Sequence, residues 1–268
     1  MKTIRDSVTC FVAAARIGFR DMAAVYTLRT WTIGWFTRLV IQVIFFSLFG
    51  LLLGSVAAVR YRVIGNSAAL VCIGAMPVVL SVVRERGAGT LAMQILTPTS
   101  FALAYLGRGI CWLIVGIGSS TAAFIIAALV FHVPVALPQA LLTPAVLAVI
   151  GLTSYCLGLA LGAVVMARPS LQWLAVNAGY LSVMAFSGVN VPVTYWPKPI
   201  QTIASALPLT HGLKALRLLL AGGSYAAAGA DLAAELAVGA CWLVIALSLM
   251  TLSVHQGRKN GTLELSAG

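Results

Sequence analysis

Acidic side chains are almost missing from this chain. Six Asp and Glu stand against 17 Lys and Arg in 268 residues, and charged residues make up 9% of the total, where a soluble domain carries about 25%. So few charges cannot coat a water-facing surface on a chain that is 61% hydrophobic, with mean hydropathy +1.02. Lipid must be the solvent for most of it. The phosphate-cradling loop G-x-x-x-x-G-K-[ST] is also absent, and no Gly-Lys pair occurs, so this chain is not expected to cradle nucleotide phosphates in the usual way. Neither H-E-x-x-H nor G-x-S-x-G occurs, and the three His (His132, His211, His255) lie far apart. A membrane enzyme therefore has no catalytic constellation to stand on. The five cysteines (Cys10, Cys72, Cys111, Cys156, Cys241) include no C-x-x-C, which leaves neither a zinc site nor a redox pair and predicts no metal. Lys2 and Arg5 lead into a mixed polar stretch, so no secretory signal is expected.

What the chain does have is long apolar runs. Six windows are free of Asp, Glu, Lys and Arg: Leu39–Val59, Val63–Val83, Ile110–Phe131, Leu141–Met166, Leu171–Val191 and Leu236–Val254. Each is near the roughly 20 residues that cross about 30 Å of hydrocarbon. A charge at a helix centre costs on the order of 3 kcal/mol, so six clean windows predict six spans. Pro144 marks the outer start of the fourth or a kink in it.

The net charge of +11 follows the positive-inside rule and not nucleic acid, since no basic stretch interleaves with aromatics as a strand-binding groove requires. With the N-terminus inside, twelve Lys and Arg fall on the inner side and five (Arg60, Arg62, Lys198, Lys214, Arg217) outside. Both termini are thus expected in the cytoplasm of a cell, or plasma, membrane. Residues 1–38 read as an interfacial entry, 39–254 as a single six-span bundle and 255–268 as a cytoplasmic tail. Within 1–35, Phe11, Ala15, Phe19, Met22 and Tyr26 share a face while Arg5, Arg16 and Arg20 follow another, the pattern of a helix lying on anionic headgroups. Trp31 and Trp35 sit where an aromatic belt would be.

Two connecting stretches carry the remaining information. Arg84–Ser100 (R-E-R-G-A-G-T-L-A-M-Q-I-L-T-P-T-S) lies between the second and third windows and holds the only Glu before residue 200. Gly87 and Gly89 allow a sharp exit from the second span. Thr90 or Thr97 can cap a short helix that Pro98 ends, with Leu91, Ile95 and Leu96 as its apolar face. Glu85 can pair with Arg84, Arg86 or a basic residue of a partner. Asn190–Asp231 is broken by Pro192, Pro197, Pro199 and Pro208. It holds two short helical patterns, the second capped by Thr210, striped by Leu213, Leu216 and Leu220, and ended by Gly222-Gly223. Backbone of this kind survives at membrane depth only under protein cover, which predicts two half-helices dipping into the outer leaflet. The alternative is a folded external loop. Glu235, near the start of the last window, needs a partner, for which Lys214 or Arg217 would serve.

These stretches resemble the type-2 ABC exporter permease family. Glu85, Gly89, Thr90, Leu91, Leu96, Thr97 and Pro98 fit its Glu-x-x-x-Gly-Thr-Leu-Glu run ending in Thr-Pro, except that Ala92 replaces the second Glu. Ser187, Gly188, Pro192, Pro197, Pro208, Leu209, Thr210 and Arg217 fit its segment before the last span. The resemblance implies an all-α membrane fold with an amphipathic entry helix, six spans, a coupling helix between spans two and three, and re-entrant outer helices between five and six. It implies a dimer, with itself or with a second similar permease, served by two ABC ATPase subunits. Mg-ATP would then sit on those partners, with no cofactor in this chain. Arg84, Glu85, Arg86, Gly89, Thr90, Leu91, Ile95, Leu96 and Pro98 would be the coupling residues. A bacterial exporter of a drug, antibiotic or lipid is expected, because the spans offer no charged lining. A lipid-linked polysaccharide is the alternative cargo, and a membrane enzyme or non-transporting scaffold the alternative class.

Polar residues inside the windows are candidates for a substrate path: Gln42, Asn66, Ser119, Ser120, Thr121, Ser154, Asn177 and Tyr180. Ser and Thr in spans more often bond to backbone or join helices. Gly50-x-x-x-Gly54 and Gly158-x-x-x-Gly162 permit close helix packing.

Overall fold

The computed structural model describes residues 4–52, 54–87, 89 and 101–260, and every regular element among them is helical. We number the main helices α1 (Ile4–Val25), α2 (Leu28–Leu52), α3 (Val56–Ala75), α4 (Val78–Gly87), α5 (Phe101–Arg108), α6 (Ile110–Val130), α7 (Thr143–Ala167), α8 (Gln172–Phe186), α9 (Lys198–Ser205), α10 (Thr210–Leu220) and α11 (Tyr225–Asn260). Among the described residues, five rods are long and apolar enough to cross a bilayer: Leu28–Leu52, Val56–Gly87, Phe101–Val130, Pro138–Met166 and Tyr225–Gln256. The fifth window of the sequence, Leu171–Val191, is met by α8, whose 15 residues reach only about 22 Å at 1.5 Å per residue. Pro169 opens a 3₁₀ turn before α8, and bends follow Phe186.

Other boundaries also differ from the sequence reading, for local reasons. The entry helix ends at Val25 and does not reach residue 35. Thr27 and Thr30 form a reciprocal cap, with Thr30 N–H donating to Thr27 Oγ1 at 3.2 Å and Thr27 N–H to Thr30 Oγ1 at 3.0 Å. That restarts the chain as α2, so Trp31 and Trp35 lie in the first long rod, in a π-helical stretch Trp31–Phe36. The rod ends at Leu52 and not at Val59. Gly54 turns with φ +63°, and Ser55 caps α3 by accepting from Ala58 N–H. Arg60 and Arg62 are therefore helical residues. Pro144 opens α7 and does not kink it.

Helices α3 and α7 form the middle of the bundle. Of their most apolar windows 89% and 78% are buried, against 22% for α2 and 17% for α11. Helix α7 packs on α3, α4, α6, α8, α10 and α11. In lipid, such contacts depend on close backbone approach more than on the hydrophobic effect. A Cβ on Gly158 would fall 2.7 Å from Val78, and Gly162 receives the ring of Tyr105, so this small-residue pair packs α7 onto α4 and α5. Gly50 meets the Val59 backbone, while Gly54 serves the turn. Ser119 and Thr121 bond back to carbonyls four residues earlier, whereas Ser120 reaches Ser67 O on α3 and Ser154 meets Cys72. These four candidates for a substrate path are spent on helix structure and helix joining.

The rod Val56–Gly87 is broken at Met76-Pro77. Proline has no N–H to continue the ladder, so α3 and α4 meet at a joint.

Candidate functional site

Three groups of candidate residues converge in the fold, one at each end of the bundle and one between. The first stands where α4 runs into the Arg84–Ser100 stretch. Glu85 is 5% exposed, and the ion pair described for it is with Arg108 at the end of α5, at 2.6 Å. The other nitrogen of that guanidinium holds Asp21 of α1 at 2.8 Å. One arginine thus ties α4, α5 and α1 together. The sequence reading had offered Arg84, Arg86 or a basic residue of a partner to Glu85. Arg86 donates to Met166 O at the end of α7, at 3.2 Å, where a cation suits the last carbonyls of a helix. Arg84 is exposed and borders a cavity described below. The α1–α5 crossing is tight: a Cβ on Gly107 would lie 2.5 Å from Phe11 O, and one on Gly18 would overlap the Arg108 carbonyl. Gly89 takes φ +70°, a value that favours glycine. Thr90, Leu91, Ile95, Leu96 and Pro98 lie outside the described residues.

The second group surrounds α10, which is held by opposite charges at its two ends. Glu235 is the eleventh residue of α11 and fully buried. Its Oε1 accepts from Leu209 N–H at 2.7 Å and from Thr153 Oγ1–H at 2.6 Å, and its Oε2 accepts from Gly212 N–H at 2.9 Å. Three donors on one carboxylate, at the positive end of a helix, is the arrangement a buried anion needs. The expected pairing of Glu235 with Lys214 or Arg217 is therefore wrong. Lys214 pairs with Asp231 at 2.8 Å, and Arg217 turns toward α3. Leu209, fully buried, has φ +81°, a strained value for leucine that costs about 1–3 kcal/mol and aims its N–H at Glu235. Thr210 does not cap α10 as expected; its hydroxyl donates to Ala204 O on α9. At the other end Arg60 donates to Leu220 O at 2.6 Å. Gly222, with φ +77°, ends the helix as the sequence indicated. Leu213, Leu216 and Leu220 are all buried.

The motif residues Ser187, Gly188 and Pro208 meet beside this helix. Ser187 donates to Pro208 O at 3.2 Å. Gly188 O accepts from Tyr61 Oη at 2.8 Å and from Arg217 Nη1 at 2.9 Å. Arg217 also donates to Tyr61 O and Val189 O and lies 3.4 Å from the centre of the Tyr61 ring. Burial lowers this guanidinium from its ordinary value to about 10, which leaves it charged at neutral pH. Pro192 precedes the turn Val193–Tyr195. Asn66, buried in α3, donates to Asn190 Oδ1 at 2.9 Å and so belongs to the same tie.

The third group is a cavity of about 380 Å³ among α2, α3, α4, α6 and α8. Asn177 and Tyr180 line it, and Gln42 donates to Tyr180 Oη at 2.7 Å. Three of the four weak path candidates are therefore brought together, and Asn66 is not among them. Sequence reasoning missed the cavity's other polar members, Arg38 and Arg84, because both flank the apolar windows. It also missed Arg108, whose partner Glu85 is 23 positions away.

The residues of all three groups fall largely within a region that matches a known family. A family model described as "ABC-2 family transporter protein" matches residues 63–248, more than half of the chain. No curated protein matches it. With its long apolar rods, the chain is a multi-pass membrane protein, and it belongs to the ABC-2 family of transporter proteins.

Proposed function

We propose that this chain is the permease subunit of an ATP-driven exporter, driven by a separate ATPase gripping Arg84–Pro98 from the cytoplasmic side. Mg-ATP is bound and hydrolysed on that partner, in two copies, beneath a dimer of this chain or of this chain with a similar permease. Both termini face the cytoplasm of a bacterial cell membrane, α8 completes six spans, and α9 and α10 form the re-entrant outer pair. The cargo is an apolar or amphipathic compound.

The observation that carries this reading is the Arg108 bridge. A loop that receives force must pass it to more than its own helix. Glu85 at the entry to the loop is joined through Arg108 to both α5 and α1, and Arg86 joins it to α7. A push on the loop thus reaches four helices through short polar contacts.

The test is co-expression with the ATPase encoded beside this chain, followed by co-purification and measurement of ATP turnover. Glu85→Gln and Arg108→Gln are expected to lose most of the permease-dependent stimulation. Gly89→Leu, which forces a branched side chain to a left-handed φ, is expected to do the same. Full stimulation in all three variants, or protease access to Arg84–Pro98 only from outside the cell, overturns the reading.

A further inference from the structure

The central cavity is not the uncharged lining that the apolar windows led one to expect. Trp35, Trp112, Trp173 and Tyr180 supply broad aromatic walls, and Arg38 and Arg84 stand in the same lining. Its volume, about 380 Å³, lies within the range of small-molecule sites. No Asp or Glu lines it among the described residues, and neither arginine has an ion pair there. Arg38 lies 5.7 Å from the centre of the Trp35 ring, a cation–π distance that orients it without neutralising it. Tyr180 is held by Gln42 and in turn donates to Met184 Sδ, so that wall is fixed before any ligand enters.

Both guanidinium groups are exposed and have no carboxylate beside them in the cavity, so they are free to meet an anion there. Guanidinium matches carboxylate, sulfonate and phosphate with paired N–H donors, and aromatic faces accept a planar ring or an acyl chain. We propose that this cavity selects an anionic amphiphile: one phosphate, sulfonate or carboxylate set against Arg38 and Arg84, with an apolar body between the tryptophans. This rests on the exporter reading and narrows its cargo from apolar or amphipathic to acidic. The lining includes Tyr26, between α1 and α2, and Trp35 within α2, and the anionic group is one that a lipid headgroup or a water-borne acid can supply.

The experiment uses the full chain in phosphatidylcholine nanodiscs, without ATPase, so that it reads the site and not the motor. Soluble probes share one ring and differ in charge: 1-naphthalenesulfonate, 1-naphthalenemethanol and (1-naphthylmethyl)trimethylammonium, titrated by calorimetry. Lipid probes are phosphatidic acid and phosphatidylcholine, counted by native mass spectrometry. The anionic member of at least one series is expected to bind about tenfold more tightly than its neutral or zwitterionic counterpart, the gain of one charge-assisted contact. Arg38→Gln with Arg84→Gln should bring the members of that series within about twofold of each other, while the Lys pair retains most of the preference. Preference in the naphthalene series identifies a water-borne acid, and preference in the lipid series alone identifies a headgroup. No anion preference in either series, or a preference that survives the Gln pair, overturns the proposal. Failure of the exporter reading shows separately, as loss of ATPase partnership in the wild-type chain.

Discussion

The two ends of the bundle hold their charges in opposite ways. At the α4 end Glu85, Arg108 and Asp21 form a chain of side-chain ion pairs that opens progressively to solvent: the side chains are 6%, 24% and 51% exposed. At the α10 end Glu235 and Arg60 are bonded chiefly to backbone groups at the two ends of α10. A side-chain pair can be stretched, exchanged or screened. A carboxylate seated on helix N–H groups can move only if the helix moves with it. The α4 end is thus the more readily disturbed and the α10 end the more firmly registered.

Breaking that contrast should have its largest effect at Glu235. Glu235→Ala strands two buried N–H groups, while the Thr153 hydroxyl can fall back on Ile150 O, and it leaves strained Leu209 unsupported. A loss of about 3–5 kcal/mol is expected from removing one side of a buried charged contact, read as a large fall in apparent Tm in detergent. Glu235→Asp should recover part of it. An unchanged Tm in the Ala variant would mean that α10 is not held by this carboxylate.

A smaller effect, but a sharper one, is expected at the α4 end from double-mutant cycles around Arg108. The buried Glu85 contact should show a coupling of about 2 kcal/mol that resists salt. The half-exposed Asp21 contact should give about 0.2–1 kcal/mol and fade as ionic strength rises. Equal couplings would remove the gradient on which the contrast stands. The smallest effect belongs to Lys214, whose side chain is 72% exposed and pairs with Asp231. Lys214→Ala should change stability by about 0.5 kcal/mol or less, and a larger loss would show that the α10 end also relies on exposed pairs.

Much of this was readable from the letters, and the misses share a cause. Apolar windows located the rods because each residue in a window reports its own solvent. The stripe Leu213, Leu216, Leu220 and the stop at Gly222 located α10 for the same local reason. The partner of Glu235 was not readable, because a helix N-terminus offers N–H donors that no residue letter announces, and charged letters such as Lys214 drew the pairing instead. The partner of Glu85 sits on a different helix, beyond a loop, where sequence spacing carries no distance. The boundary at Gly54-Ser55 was hidden inside an apolar run that continues across it to Val59. The 15-residue length of α8 was obscured in the same way: apolar letters extend past Phe186 into bends that the positive φ of Gly188 helps to make.

The proline between α3 and α4 links these regions. Pro77 lines the central cavity as well as interrupting the rod. On one side of it, α4 leads directly to Glu85; on the other, α3 is locked by Tyr61 and Asn66 to Gly188 and Asn190. A rod held at one end and pushed at the other would concentrate its bending where the ladder is weakest. In this chain that elbow is also a piece of the chamber wall, so any swing of the α4 arm would change the shape of the space the cargo would occupy.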